Sequence, residues 1–411
     1  MRTVHFSLIL ACSFAGPLLA AEAPGNAARE LFAKRTKEAR AAAIGGAGGT
    51  TAAAEAAVDA GLAWLAAAQE ADGRWSTKGW GGAEGYDVGV TGLALLAYFG
   101  AGHSHTAGDY KAVVAKGLAW LRSQQFPNGG FAWKVFYEQG MASLALCEAS
   151  GMTGEPEVGR AAQLALDYLC KIQPDHGGFR YQGAAPKEQG DLSVTGWQLL
   201  ALAQGLSADH ALPQANLGRA RTLLIPQAAI ERTRAFLRST YCGDGGSCYV
   251  VGQPAGQKLA TPSMTAIGMF CRQLFGDEAA GPEIRAAAEW LLKHTPAEPP
   301  KGAEAGMHKL AQDLYFTHHS CLAMFQMGGR YWTTWNALFR DAVVKAQVKE
   351  EAADAAGRPV RGSWDPAKHS FGQAGGRVYV TAMAVLSLET YYRYAAFYRG
   401  RLPLVPPIAE F

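Results

Sequence analysis

Two kinds of apolar pattern alternate along this chain. The first is amphipathic: across 165–173, Leu166, Leu169 and Ile172 recur at helical spacing with polar residues between them. The second is almost uniformly apolar: the stretch 191–205 opens on Asp191, a good N-cap, runs through Thr195, Leu199 and Leu200, and closes on Gly205. Between them lies Pro174-Asp175-His176-Gly177-Gly178-Phe179, which cannot stay helical: proline lacks a donor and the glycines favour other dihedrals. The unit predicted is helix, glycine turn, helix. The amphipathic member is wetted on one side and the apolar member is shielded on all sides.

That unit recurs over most of the chain. The first helices carry an aromatic-Leu pair at Trp64-Leu65, Trp120-Leu121, Tyr168-Leu169, Phe236-Leu237 and Trp290-Leu291, with a degenerate sixth at Ala342-Val343. Successive spacings are 56, 48, 68, 54 and 52 residues. The apolar second helices are expected at 88–99, 137–149, 192–204, 262–274, 315–327 and 378–392. Six such hairpins stack into a closed barrel of helices or an open solenoid, and periodicity leaves both open.

The turns carry a resemblance. Trp64-Leu65, Gln69 and Gly73-Arg74-Trp75 are followed by Trp120-Leu121, Gln125 and Gly129-Gly130-Phe131, then by Tyr168-Leu169, Gln173 and Gly177-Gly178-Phe179. A fourth copy keeps Gly245 with Tyr241 and Ser247 at the Gln and aromatic positions. The fifth is lost in 296–300, and the sixth stretches from Gln347 to Gly362-Ser363-Trp364. This signature resembles the repeats of terpenoid cyclases and protein prenyltransferase β-subunits, and is most similar to exported bacterial prenyltransferase/squalene oxidase repeat proteins. The resemblance, over about 58–399, implies an all-α fold, an α6–α6 toroid of inner and outer helix rings.

Aligning the inner helices on a shared small-residue position gives Thr91, Ala142, Thr195, Thr265, His319 and Thr381. One turn earlier stand Asp87, Glu138, Asp191, Thr261, Tyr315 and Arg377; one turn later come Leu95, Leu146, Leu199, Met269, Ala323 and Val385. If that common face lines a central cavity, the mouth is charged, the middle rich in hydroxyls and the floor apolar. Asp87, Glu138 and Asp191 are then candidate acid/base groups, and Thr91, Thr195, Thr261, Tyr315, His319, Arg377 and Leu199 candidate ligand contacts. Asp87 and Asp191 read equally as helix caps and the threonines as packing residues. Trp80, Trp133 and Trp364, in turns leading to the mouth, are packing residues by default and stacking partners on the sharper reading.

The chemistry of the resembled families is not retained. Cyclases use an Asp-x-Asp-Asp-Thr segment to protonate an alkene; here the matching segments are 87–91 and 191–195, with Gly89 or Ser193 at the donor position. Prenyltransferases bind zinc through Asp-x-Cys and His, where this chain has Leu259-x-Thr261 and Tyr315. Thioester toroids need Cys-x-Glu-Gln, and Phe136 stands at the cysteine position before Glu138-Gln139. No metal or cofactor is therefore expected. The expectation is a non-cyclase binding or interaction module whose cavity takes an amphipathic or apolar ligand, or whose rim takes an envelope protein. The alternative is an enzyme of unassigned reaction working through the acidic ring.

Composition adds a location and removes a partner class. With 38 basic and 35 acidic residues the net charge is +3, and no basic run forms a nucleic-acid stripe. Arg2, the apolar run to Leu19 and the small residues of 20–23 read as a secretory signal over 1–21, so the mature protein is expected to be periplasmic or extracellular. An Ala/Gly-rich linker is expected over 22–57 and a short tail over 400–411. No later segment is apolar enough to span a bilayer. In an oxidising compartment Cys242 and Cys248 could close a small disulfide loop or remain thiols. His103 and His105 read as loop residues at the end opposite the ring.

Overall fold

The computed structural model describes residues 34–46, 49–131, 134–183, 189–211, 223–250, 259–275, 281–295, 310 and 312–393. Among them are fourteen α-helices: α1 (Lys37–Ala42), α2 (Ala52–Ala67), α3 (Asp87–Gly100), α4 (Lys111–Ser123), α5 (Tyr137–Thr153), α6 (Pro156–Ile172), α7 (Leu192–Ala211), α8 (Gln227–Thr240), α9 (Pro262–Leu274), α10 (Pro282–His294), α11 (Leu314–Met327), α12 (Gly329–Ala346), α13 (Gly372–Leu388) and α14 (Thr390–Arg393). Strand-like pairing among the described residues is limited to isolated bridges, several of them in the repeat turns. The inner ring is α3, α5, α7, α9, α11 and α13; the outer ring is α2, α4, α6, α8, α10 and α12.

Burial follows the two sequence patterns. In α6 the buried residues Val158, Ala161, Ala162, Ala165, Leu166 and Leu169 form one stripe, whereas in α3 every residue from Val88 to Gly100 is buried. Each inner helix packs against the next, and α13 packs against α3 while α12 meets α2. The array therefore closes on itself. Closure leaves no terminal repeat needing a polar cap, which an open solenoid requires.

The turn signature is the fastener between repeats. The Gln69 side-chain amide donates to Gly73 O at 2.8 Å and to Val113 O of α4 at 3.0 Å. Gln125 does the same toward Gly129 O and Ala161 O of α6. Gln347 closes the ring, donating at 2.8 Å to both Gly362 O and Ala57 O of α2. The turn glycines need their left-handed backbone for the same contact: Gly73, Gly129, Gly177, Gly245 and Gly362 have φ of 83–100°. A Cβ at each would collide with a carbonyl of the following outer helix, at Lys116, Leu164, Arg232, Ala286 and Ala60 respectively.

The linker expected over 22–57 is corrected where it can be seen. Helix α2 already begins at Ala52, and residues 34–46 are docked on the barrel. Arg35, 1% exposed, donates to Phe99 O at 3.0 Å and Arg393 O at 2.9 Å, and pairs with Glu148 at 2.5 Å. Arg393 pairs with the other Glu148 oxygen at 2.5 Å, so one buried carboxylate joins α5, α14 and the N-terminal segment. Residues 1–33 and 394–411, which include the expected signal and tail, lie outside the described residues.

The disulfide alternative between Cys242 and Cys248 does not form; both are free thiols. Pairing of Tyr241 with Ser247 places Cys248 opposite Thr240 and Cys242 opposite Gly246, so the two sulfurs are not cross-strand neighbours. No helix among the described residues is long and apolar enough to cross a membrane. His105 is hydrogen-bonded to Glu155 and His103 packs on Tyr110, both among loop and outer-helix residues.

Candidate functional site

The starts of the inner helices surround one cavity of about 520 Å³. Its wall is mostly apolar and aromatic, with Val90, Leu93, Met141, Met264, Phe371 and Tyr379 among the lining residues. Of the six residues expected in the ring, Glu138, Thr261 and Tyr315 line it. The other three are turned away. Asp87 accepts from Thr77 N at 2.9 Å and Thr77 Oγ1 at 3.0 Å and meets Arg74 at 3.4 Å, fixing the turn before α3. Asp191, fully buried, caps α7 by accepting from Ser193 N at 2.8 Å and Val194 N at 3.3 Å. Arg377 donates to Ser363 Oγ and Trp364 O and pairs with Asp365 at 3.6 Å, binding the sixth turn to α13.

The expected ligand contacts Thr91 and Thr195 are also corrected. Both are fully buried, and each accepts a hydrogen bond from the turn aromatic: Trp75 N to Thr91 Oγ1 at 3.0 Å, Phe179 N to Thr195 Oγ1 at 2.7 Å. Thr265 and Thr381 do the same for Ser247 N and Trp364 N. This bond fixes the rotation of four inner helices with the threonine toward the turn. The cavity face therefore lies two and three positions after the expected one, at Gly89, Val90, Ser193, Ser263 and Met264. At 3.6 residues per turn those positions lie roughly 160° and 60° round the helix from the expected one.

His319 and Leu199 belong to the core, not the cavity. Leu199 is fully buried, as are Leu95 and Leu146. The barrel axis below the cavity is packed by Trp197 from α7 with His318 and His319 from α11, at ring separations of 5.2–6.3 Å. His319 Nδ1 donates to Tyr315 O at 2.8 Å, and burial pushes its pKa down to about 4, which keeps the ring neutral. Above this plug the Tyr315 hydroxyl reaches across to Ser193 O at 3.0 Å. Trp80 and Trp364 are packing residues whose indoles donate to Ala68 O and Val343 O; Trp133 lies outside the described residues.

Glu138 is the carboxyl the sequence placed correctly. It is 2% exposed, with Oε1 accepting from Lys134 N at 2.8 Å and Oε2 from Gly89 N at 3.3 Å. Desolvation raises its pKa to about 7 against those two bonds, and nearby Asp87 adds to the rise. It can hold or release a proton at neutral pH.

The phenols beside it were not expected. The Tyr137 hydroxyl meets Ser193 Oγ at 2.6 Å, and Ser193 Oγ donates to Asp191 Oδ1 at 2.6 Å. The Tyr181 and Tyr249 hydroxyls are hydrogen-bonded to each other. A signal existed: Tyr181 and Tyr249 stand two residues beyond the turn positions Phe179 and Ser247, the same place in consecutive repeats. Tyr137 immediately precedes Glu138, and Ser193 is one of the two positions, with Gly89, that the sequence resemblance set against a cyclase proton donor.

No family model matches the sequence, and no curated protein matches it. Solved structures do match in shape. An unsaturated glucuronyl hydrolase from a Bacillus species superposes with a TM-score of 0.54 at 15% identity, covering 85% of this chain and 100% of its own. An α-1,6-mannanase from a Salegentibacter species gives 0.54 at 8% identity over 82% and 98%. A type II terpene cyclase from Scytonema, in complex with geranylgeranyl dihydroxybenzoate, gives 0.50 at 16% identity over 83% and 97%. Glycan hydrolases and a terpene cyclase share one architecture here, and at these identities the likeness shows fold alone. By its closed double ring of helices and by these neighbours, the chain is an α/α toroid.

Proposed function

We propose that this protein is an exported binding module whose cavity holds an elongated small molecule with an apolar body and one polar end. The observation that carries the reading is the cavity itself: about 520 Å³, apolar and aromatic over most of its wall, with the buried Glu138 carboxyl among its few polar groups. Such a site gains affinity from the apolar body and orientation from the polar groups. Export rests on the leader read over 1–21. It is checked by N-terminal sequencing of the protein recovered from the cell envelope, where an intact Met1 would count against it.

The test of binding is native mass spectrometry of protein exposed to a lipid extract, beside an Ala374→Trp variant. Ala374 lines the cavity and is half-buried, so the indole fills the mouth while leaving the core packed. Bound species in the wild type that are lost in the variant support the reading; no bound species in the wild type overturns it. A second reading, an acid/base enzyme, is favoured by the Glu138 pKa near 7. Turnover of a candidate substrate that disappears in Glu138→Gln while binding persists would establish that reading in place of the first.

A further inference from the structure

The polar end of the cavity has a hydrogen-bond direction, and that direction selects ligands. Asp191 Oδ1 already accepts the amide protons of Ser193 and Val194, so it is an acceptor for the Ser193 hydroxyl as well. A hydroxyl has one proton to give. Ser193 Oγ gives it to Asp191 and must therefore accept at 2.6 Å from the Tyr137 hydroxyl. Burial raises the Tyr137 pKa, so the phenol keeps its proton and its one donor is spent on Ser193. What remains on the Tyr137 oxygen is acceptor capacity, open to the neighbouring Tyr181 hydroxyl or to a ligand. Tyr137 and Ser193 both line the cavity.

Resting on the binding reading above, we propose that the cavity recognises a hydroxyl on an otherwise apolar ligand, the ligand O–H donating to the Tyr137 oxygen. The chain Tyr137–Ser193–Asp191 holds that oxygen as an acceptor. A ligand of equal length whose oxygen bears no hydrogen cannot make that bond and is disfavoured. Fixing the direction in this way also gives the Asp191 cap a second task, because its carboxylate sets the orientation of a group two hydrogen bonds away.

Dodecanol and methyl dodecyl ether, which differ in that one proton, are the probes. Competition between them is read by native mass spectrometry on wild type, Tyr137→Phe and Ser193→Ala, with melting temperatures recorded for all three. The wild type is expected to prefer the alcohol by about tenfold, the scale of one net hydrogen bond. Tyr137→Phe keeps the ring and loses the preference. Ser193→Ala frees the Tyr137 proton to donate and moves the preference toward the ether, which a merely structural role would not do. Equal binding of the two probes by the wild type, or an alcohol preference that survives Tyr137→Phe, overturns the proposal and leaves the binding reading standing. Failure of the wild type to bind either probe removes both.

Discussion

At the scale of single residues, Glu138 shows what burial does to a carboxyl that no ion pair compensates. Its pKa is raised from the ordinary 4.5 to about 7, so the native state takes up a proton that the unfolded chain has released. A raised pKa gives stability that is full below about 4.5 and is lost as pH climbs to about 7. The loss is on the order of 3 kcal/mol, from the free energy of each pKa unit. Glu138→Gln removes the titration. Its melting temperature is expected to exceed the wild type's at pH 8 and to approach it at pH 5; an equal difference at both pH values would falsify this account. Glu138 was legible from sequence because glutamate is a poor cap, which left its place at a helix start unexplained by local structure. Asp87 and Asp191 were open to both readings: Asp191 takes the capping one, Asp87 is spent on the turn at Thr77, and both carboxylates are turned from the cavity.

Among elements, the turn between outer and inner helix is the unit that repeats with fewest changes. Its glycine serves two demands, a left-handed backbone and passage beneath the neighbouring outer helix. Gly129 has φ of 90° and faces the Leu164 carbonyl, while Gly81 has φ of 82° with nothing near its missing Cβ. Gly81→Ala is expected to cost about 1–2 kcal/mol, the strain of that backbone alone. Gly129→Ala should cost several kcal/mol or prevent folding, because it also forces α4 and α6 apart. Urea denaturation of the pair separates the two contributions, and similar losses would show that the close approach matters little. The glycines were readable from sequence as turn formers. That the following helix rests on them was not, since four of the contacts join residues 35–55 positions apart and the fifth, Gly362 to Ala60, residues 302 apart.

Over the whole molecule, the two ends of the barrel are built differently. One end opens into the apolar cavity; the other is closed by a buried charge network. Glu148 is held between Arg35 and Arg393, each at 2.5 Å, and Arg40 of the same N-terminal segment pairs with Glu55 of α2 at 2.9 Å. Removing one member of such a group strands charge in a dry interior. Arg35→Ala is expected to cost about 3 kcal/mol, somewhat eased by the surviving Arg393–Glu148 pair. The chemical-denaturation midpoint checks it, and an unchanged midpoint would show that the N-terminal segment is only draped over the barrel. The sequence read this segment as a linker because its Ala/Gly-rich composition is that of a linker. Arg40 is paired by the next helix, but Arg35 finds its partners only on elements far along the chain.

By itself the sequence determined where the helices lie, which ring each belongs to and where the turns fall. Those features depend on local spacing, capping residues and the contrast between striped and uniformly apolar segments, all properties of neighbouring residues. Two things waited for the tertiary structure. Ring closure depends on α13 meeting α3 and on Gln347 reaching Ala57, contacts between the chain's distant ends that no repeat period encodes. The rotation of the inner helices was equally hidden, because a helix apolar on every side has no stripe from which to read the face it presents. In four of them the bond from a turn residue to the helix threonine fixes that rotation. It places Ser193 in the cavity and Thr195 in the wall.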